Sequence, residues 1–192
     1  MAPIPLLLSG IVVVSLIVAF SDFRTRRIPN VVLGTALLYA LAVLAIAGLE
    51  RGPAFLPRAL GYSFFGAFIG FLMLLPGYLG RQVAAGDVKF MMVIGFFMGP
   101  IGAAIVLLSG ALFGGVWALV LAWRVGGLRK VFDNMRFMWR SLWLSGLREM
   151  GWDLGSQGAV RMPYGVALAA GVCAVAAWQI MRTPELRSAV GF

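Results

Sequence analysis

The chain has 192 residues, 61% hydrophobic and only 12% charged, with a mean hydropathy of +0.96. Soluble domains carry about 25% charged residues, so the composition excludes a soluble fold and describes an integral membrane protein. The formal charge of +9 does not indicate nucleic acid as a partner. The bases sit between apolar runs and form no patch interleaved with aromatics.

At roughly 20 residues per crossing, the length accommodates about six transmembrane helices as one polytopic domain, with little left over. The expected fold is therefore all-α. Histidine is absent, which removes His-Glu-x-x-His zinc proteases, Ser–His hydrolases and His proton relays. Cys173 is the sole cysteine, so neither an intramolecular disulfide nor a Cys-x-x-Cys metal site can form. Carboxylates are then the leading catalytic groups for a hydrolase.

The first apolar run covers about 3–20. It has neither a basic leader region nor a convincing small-residue cleavage site, and reads as a span rather than a signal peptide. A loop over 21–30 follows, carrying Arg24, Arg26 and Arg27. Pro29-Asn30 is expected to turn the chain and start the second run (31–49), with Asn30 available as a cap. A short connection with Arg51, Pro53 and Pro57 leads to the third run, 59–79. Its Gly66-x-x-x-Gly70 spacing permits close helix approach, within the molecule or between copies. The loop 80–87 precedes a short run, 88–98, that ends at Gly99-Pro100. At 1.5 Å per residue this run reaches only part of the way across a bilayer. It must begin before Asp87 or lie in a thinned or protein-lined region.

The fifth run is 101–123. The polar stretch 124–161 places aromatics and Met beside spaced arginines over 131–143, the pattern of an amphipathic helix on anionic lipid. The sixth run, 163–181, opens on Pro163-Tyr164-Gly165, which shapes its approach or lines a site. Loops 21–30, 80–89 and 124–161 hold twelve of the sixteen Lys and Arg residues; Arg51, Arg58, Arg182 and Arg187 make up the rest. The positive-inside rule makes the first group cytoplasmic. Asp22 and Asp87 then fall at the same cytoplasmic edge.

Ionisable groups at membrane depth are costly and mark function when they persist. Asp87 follows Gly86 and could alternatively cap a helix. Asp22 ends a span, where its charge opposes the helix dipole; a salt bridge to a nearby arginine is its plain alternative. As a pair they are more informative. Two close carboxylates share a proton, so one can deprotonate water while the other protonates a carbonyl oxygen. That chemistry needs no cofactor or metal. Gly86 beside Asp87 leaves room for a substrate backbone. Lys89, two residues from Asp87, is expected to point elsewhere and snorkel to the interface.

Asp22 with Ile28-Pro29-Asn30, then Gly86-Asp87-Val88-Lys89, then Pro163-Tyr164-Gly165 together resemble the type IV prepilin peptidase family, polytopic aspartyl proteases with a Gly-x-Gly-Asp motif. The resemblance covers nearly the whole chain in order and spacing. It implies that Asp22 and Asp87 are the catalytic pair. It also implies that prepilin or pseudopilin precursors are the partners, cleaved at the cytoplasmic face of the inner membrane. Ala84 departs from the motif by replacing its first glycine. The chain also lacks the Cys-x-x-Cys region of bifunctional members, and so resembles the small peptidase-only type that processes Flp (tight-adherence) pilins. Archaeal preflagellin peptidases are similar in plan. The rival class is a non-enzymatic transporter, or a pilus or secretion assembly component, using the aspartates for ion coupling or helix pairing. Transporters, however, favour acids near midspan. A Ser-Lys hydrolase is a third option, but neither Lys89 nor Lys130 has a well-placed serine.

Overall fold

The computed structural model describes residues 3–80, 83–124 and 164–183. The expected amphipathic segment and Pro163 lie outside the described residues. Among those described, five elements form, all α-helical: α1 (Pro3–Thr25), α2 (Asn30–Arg51), α3 (Phe55–Leu79), α4 (Ala85–Arg124) and α5 (Tyr164–Arg182). Each is long and apolar enough to cross a membrane. Large apolar side chains such as Leu38, Phe64, Phe68, Leu112 and Trp117 face outward, as suits a fold whose solvent is lipid.

The expected fourth and fifth runs merge into the 40-residue α4, which breaks at Gly99. Gly99 has φ 72° and ψ −179°, a region open essentially to glycine alone. Pro100 follows, with its ring preset for the first position of a new helix. The packing gives the consequence. The first limb runs antiparallel to α1, with Asp87 beside Asp22 and Phe97 beside Gly10. Helix α5 is also antiparallel to α1, with Gly165 against Asp22 and Ala176 in one cluster with Leu8. The second limb is antiparallel to α5, through Val106 on Gly171 and Gly110 on Ala167. The two limbs therefore run in opposite directions, and α4 is a helical hairpin folded at Gly99.

The first limb is the centre of the molecule. Val88, Phe90, Met91, Val93, Ile94, Phe96 and Phe97 are all buried, joined by Ile11 and Val18 of α1, Val106 of the second limb, and Leu168 and Val172 of α5. Its shortness is tolerated because protein, not lipid, surrounds it. Among the described residues, α3 and α4 share the most extensive interface. There Gly66 lies on the Gly95 carbonyl and Gly70 on that of Met91, so a Cβ at either position would strike backbone. The Gly66-x-x-x-Gly70 face is thus used within the molecule.

Two boundaries differ from the sequence reading. Helix α1 continues through Ser21 and Asp22 to Thr25, and two side chains near its end bond carbonyls of this turn and of the link that follows. Ser21 Oγ donates to Arg27 O at 2.9 Å and Thr25 Oγ1 to Ser21 O at 2.8 Å. Helix α4 begins at Ala85, three residues before the apolar run. These extensions leave short connections, and they put Asp22 in the last turn of α1 and Asp87 in the first turn of α4.

Candidate active site

Asp22 and Asp87 are 6% and 7% exposed, two of four buried polar side chains among the described residues. Both line one pocket of about 330 Å³, together with Arg26, Arg27, Ile28, Asn30, Ala84, Gly86 and Lys89. They lie within electrostatic range of each other. The hairpin and the antiparallel packing bring together residues from the end of α1, the link to α2, and the start of α4.

The local backbone explains each placement. Arg26 adopts a left-handed conformation, φ 52°, and its N–H donates to Asp22 O at 2.9 Å. This turns the chain sharply and leaves the guanidinium within electrostatic range of Asp22. Pro29, at φ −67° and ψ 125°, then precedes α2. At the other wall, the carbonyl of Ala84 accepts the N–H of Asp87 at 3.1 Å and that of Val88 at 3.3 Å. Ala84 thus holds the capping position; Asp87 lies in the first helical turn, where its carboxylate also faces back to the Ala84 N–H.

The start of α5 lies against Asp22. Gly165 sits against Asp22 so closely that a Cβ there would lie 2.8 Å from Oδ2 and 3.1 Å from Cγ. The backbone N–H groups of Gly165 and Val166 face the Asp22 carboxylate. They close no hydrogen bond on its Oδ2, which is buried and unpartnered among the described residues. Tyr164, partly buried, is within electrostatic range of Asp87. The Tyr164-Gly165 pair therefore lines the carboxylate pair as well as opening the helix.

Two side-chain expectations are corrected. Asn30 is the first residue of α2 and makes no cap; the preceding position is Pro29, which has no side chain to serve. Instead Asn30 Oδ1 accepts a hydrogen bond from Lys89 Nζ at 3.1 Å. Lys89 is thus turned to the pocket rim and does not simply snorkel away. Gly86 lines the pocket too, but its bare Cα also faces Ile28, where a Cβ would come within 3.3 Å of the Ile28 Cβ. No signal local to either segment could have joined Lys89 to Asn30, since they meet only through the tertiary fold.

A buried carboxylate pair in a small pocket at one end of an apolar helix bundle can share a proton and carry out acid–base chemistry on a bound water. Among the described residues no group of three or more His, Cys, Asp or Glu side chains gathers elsewhere to hold a metal ion. Comparison with known proteins gives one positive result. The model of the type IV leader peptidase family matches residues 9–119; no curated protein and no solved structure matches. The matched region is more than half of the chain and contains both aspartates, the Gly99 hinge and the α1–α2 link. The chain belongs to the type IV leader peptidase family.

Proposed function

We propose that the protein is a membrane aspartic endopeptidase that removes the basic leader of an Flp-like prepilin at the cytoplasmic face of the inner membrane, with Asp22 and Asp87 as catalytic residues. The observation that supports this reading most is the meeting of two buried carboxylates from α1 and α4 in one pocket. The family's activity on type IV leaders supplies the substrate class.

In this mechanism the ionised carboxylate takes a proton from water as its oxygen attacks the scissile carbonyl carbon. The protonated partner gives its proton to the carbonyl oxygen, forming a neutral tetrahedral diol. Collapse breaks the C–N bond: the amine leaves with a proton returned by the first carboxyl, while one diol hydroxyl gives its proton to the second carboxylate as the carbonyl re-forms. The dyad ends with one proton, as it began.

The terminal-turn positions suit a substrate cut just before its own membrane helix, and they are unlike the midspan acids of an ion-coupled transporter. Six crossings follow if the two limbs of α4 each count as one, and the twelve-to-four distribution of bases then faces the dyad toward the cytoplasm. Arg26, Arg27 and Lys89 at the pocket repel a basic leader, so the leader's own charges lie outside it. With no Cys-x-x-Cys pair, N-methylation is not part of the activity.

The test is incubation of the purified full chain with a prepilin-type precursor, followed by mass spectrometry. A leader-sized mass loss that disappears in Asp22→Asn and Asp87→Asn is expected. Full activity in either variant would overturn the dyad.

A further inference from the structure

We infer that Gly165 is a positioning residue: the first turn of α5 fixes the Asp22 carboxylate against Asp87, and it does so only because residue 165 has no side chain. The catalytic consequence rests on the peptidase reading above; the contact itself does not.

Gly165 lies against three atoms of one side chain. A Cβ there would stand 2.8 Å from Asp22 Oδ2, 3.1 Å from Cγ and 3.3 Å from Cβ. Real Cβ atoms essentially never approach within 3.0 Å of a heavy atom, so something must shift. The group that can move most cheaply is the carboxylate, which turns about χ1 and χ2. Asp22 also lines the pocket it shares with Asp87. A displaced carboxylate therefore changes its separation from Asp87, the quantity on which a shared proton depends.

The placement of α5 is itself anchored to the helix that carries Asp87. On the second limb of α4, Val106 O and Gly110 N lie so near Gly171 that a Cβ there would be 2.7 and 2.9 Å from them. Gly110 in turn sits on Ala167, 3.1 Å from a Cβ to its carbonyl oxygen. Because α4 folds back at Gly99, one element holds Asp87 at its start and grips α5 along its second limb. Helix α5 then meets Asp22 at Gly165. The two aspartates are thus registered through α5 as well as through the direct α1–α4 contact.

Two measurements on the detergent-solubilised full chain test this. The first is a thermal-unfolding cycle of wild type, Gly165→Ala, Asp22→Ala and the double variant. Gly165→Ala should lower Tm in the wild-type background and leave it nearly unchanged in Asp22→Ala, where Oδ2 and Cγ are gone. Equal shifts in both backgrounds would show independent sites and overturn the contact. The second is cleavage of a prepilin-type precursor by Gly165→Ala. The expected result is a fall in kcat of about 10- to 100-fold with KM unchanged, the signature of misplaced reacting groups. Unchanged kcat, or a loss confined to KM, would overturn the positioning role. If wild type itself cleaves nothing, the peptidase reading fails while the thermal cycle still decides the contact.

Discussion

Asp22 and Asp87 are isolated by burial, and that makes their replacement informative. Asparagine keeps the shape of each side chain but can neither accept nor release the proton. General acid–base groups typically contribute 10²- to 10⁴-fold. Asp22→Asn and Asp87→Asn are therefore each expected to lower leader cleavage by at least about 100-fold, while immunoblots of washed membranes show undiminished protein. The Lys89–Asn30 hydrogen bond is a different case. It joins exposed groups, so its net worth is at most about 1–2 kcal/mol. Thermal cycles of Lys89→Met, Asn30→Ala and the double variant should give a coupling no larger than that. The sequence made the aspartates legible because a carboxylate stands out in an apolar chain. Lys89 was misread because helix spacing describes neighbours on one helix, and its partner lies 59 residues away. Pro163-Tyr164-Gly165 reads from sequence as shaping the approach to the last span or lining a site, but nothing in it says which side chain rests on Gly165.

At the scale of the element, the hinge of α4 can be separated into its physical parts. Gly99 and Gly52 both have positive φ, 72° and 93°, with extended ψ of −179° and 170°. A Cβ at Gly52 meets nothing within 4 Å, whereas at Gly99 it would strike the Tyr62 ring. Gly52→Ala should therefore report backbone strain alone, about 1–3 kcal/mol. Gly99→Ala should cost more, by the collision with Tyr62. Adding Tyr62→Ala to Gly99→Ala should recover the collision and leave the strain, measured by thermal unfolding in detergent. If Gly52→Ala and Gly99→Ala cost the same, the ring moves aside freely and only backbone conformation matters. The break at Gly99-Pro100 was readable from residue chemistry, since glycine permits the turn and proline restarts a helix. Its reversal of direction was not. That follows from which helices flank each limb, and only the folded arrangement of Phe97, Val106, Gly171 and Asp22 records it.

For the whole molecule, the hairpin reconciles a short central run with a membrane fold. Residues 85–98 span about 21 Å at 1.5 Å per residue, too little for a helix exposed to lipid across a hydrocarbon core of about 30 Å. Burial among α1, α3, α5 and the second limb removes that requirement. The same packing sorts the ends of the bundle. Arg24, Arg26, Arg27 and Lys89 gather at the end that holds the dyad, while Arg51, Arg58 and Arg182 lie at the opposite end. Arg51 and Arg182 stack there on Phe55 and Trp178, at 4.9 and 4.7 Å from the ring centroids, as aromatic and basic anchors do at an interface. In a Cys173→Ala background, one cysteine at Thr25 should therefore resist a membrane-impermeant maleimide in intact spheroplasts and react in inverted vesicles. A cysteine at Ala54 should do the reverse. Both positions are exposed, so access is decided by sidedness rather than burial. Labelling of Thr25→Cys from outside would place the carboxylates on the far side of the membrane and remove cytoplasmic leader cleavage. Labelling of both positions from one side would break the antiparallel order of α1, α2 and α3.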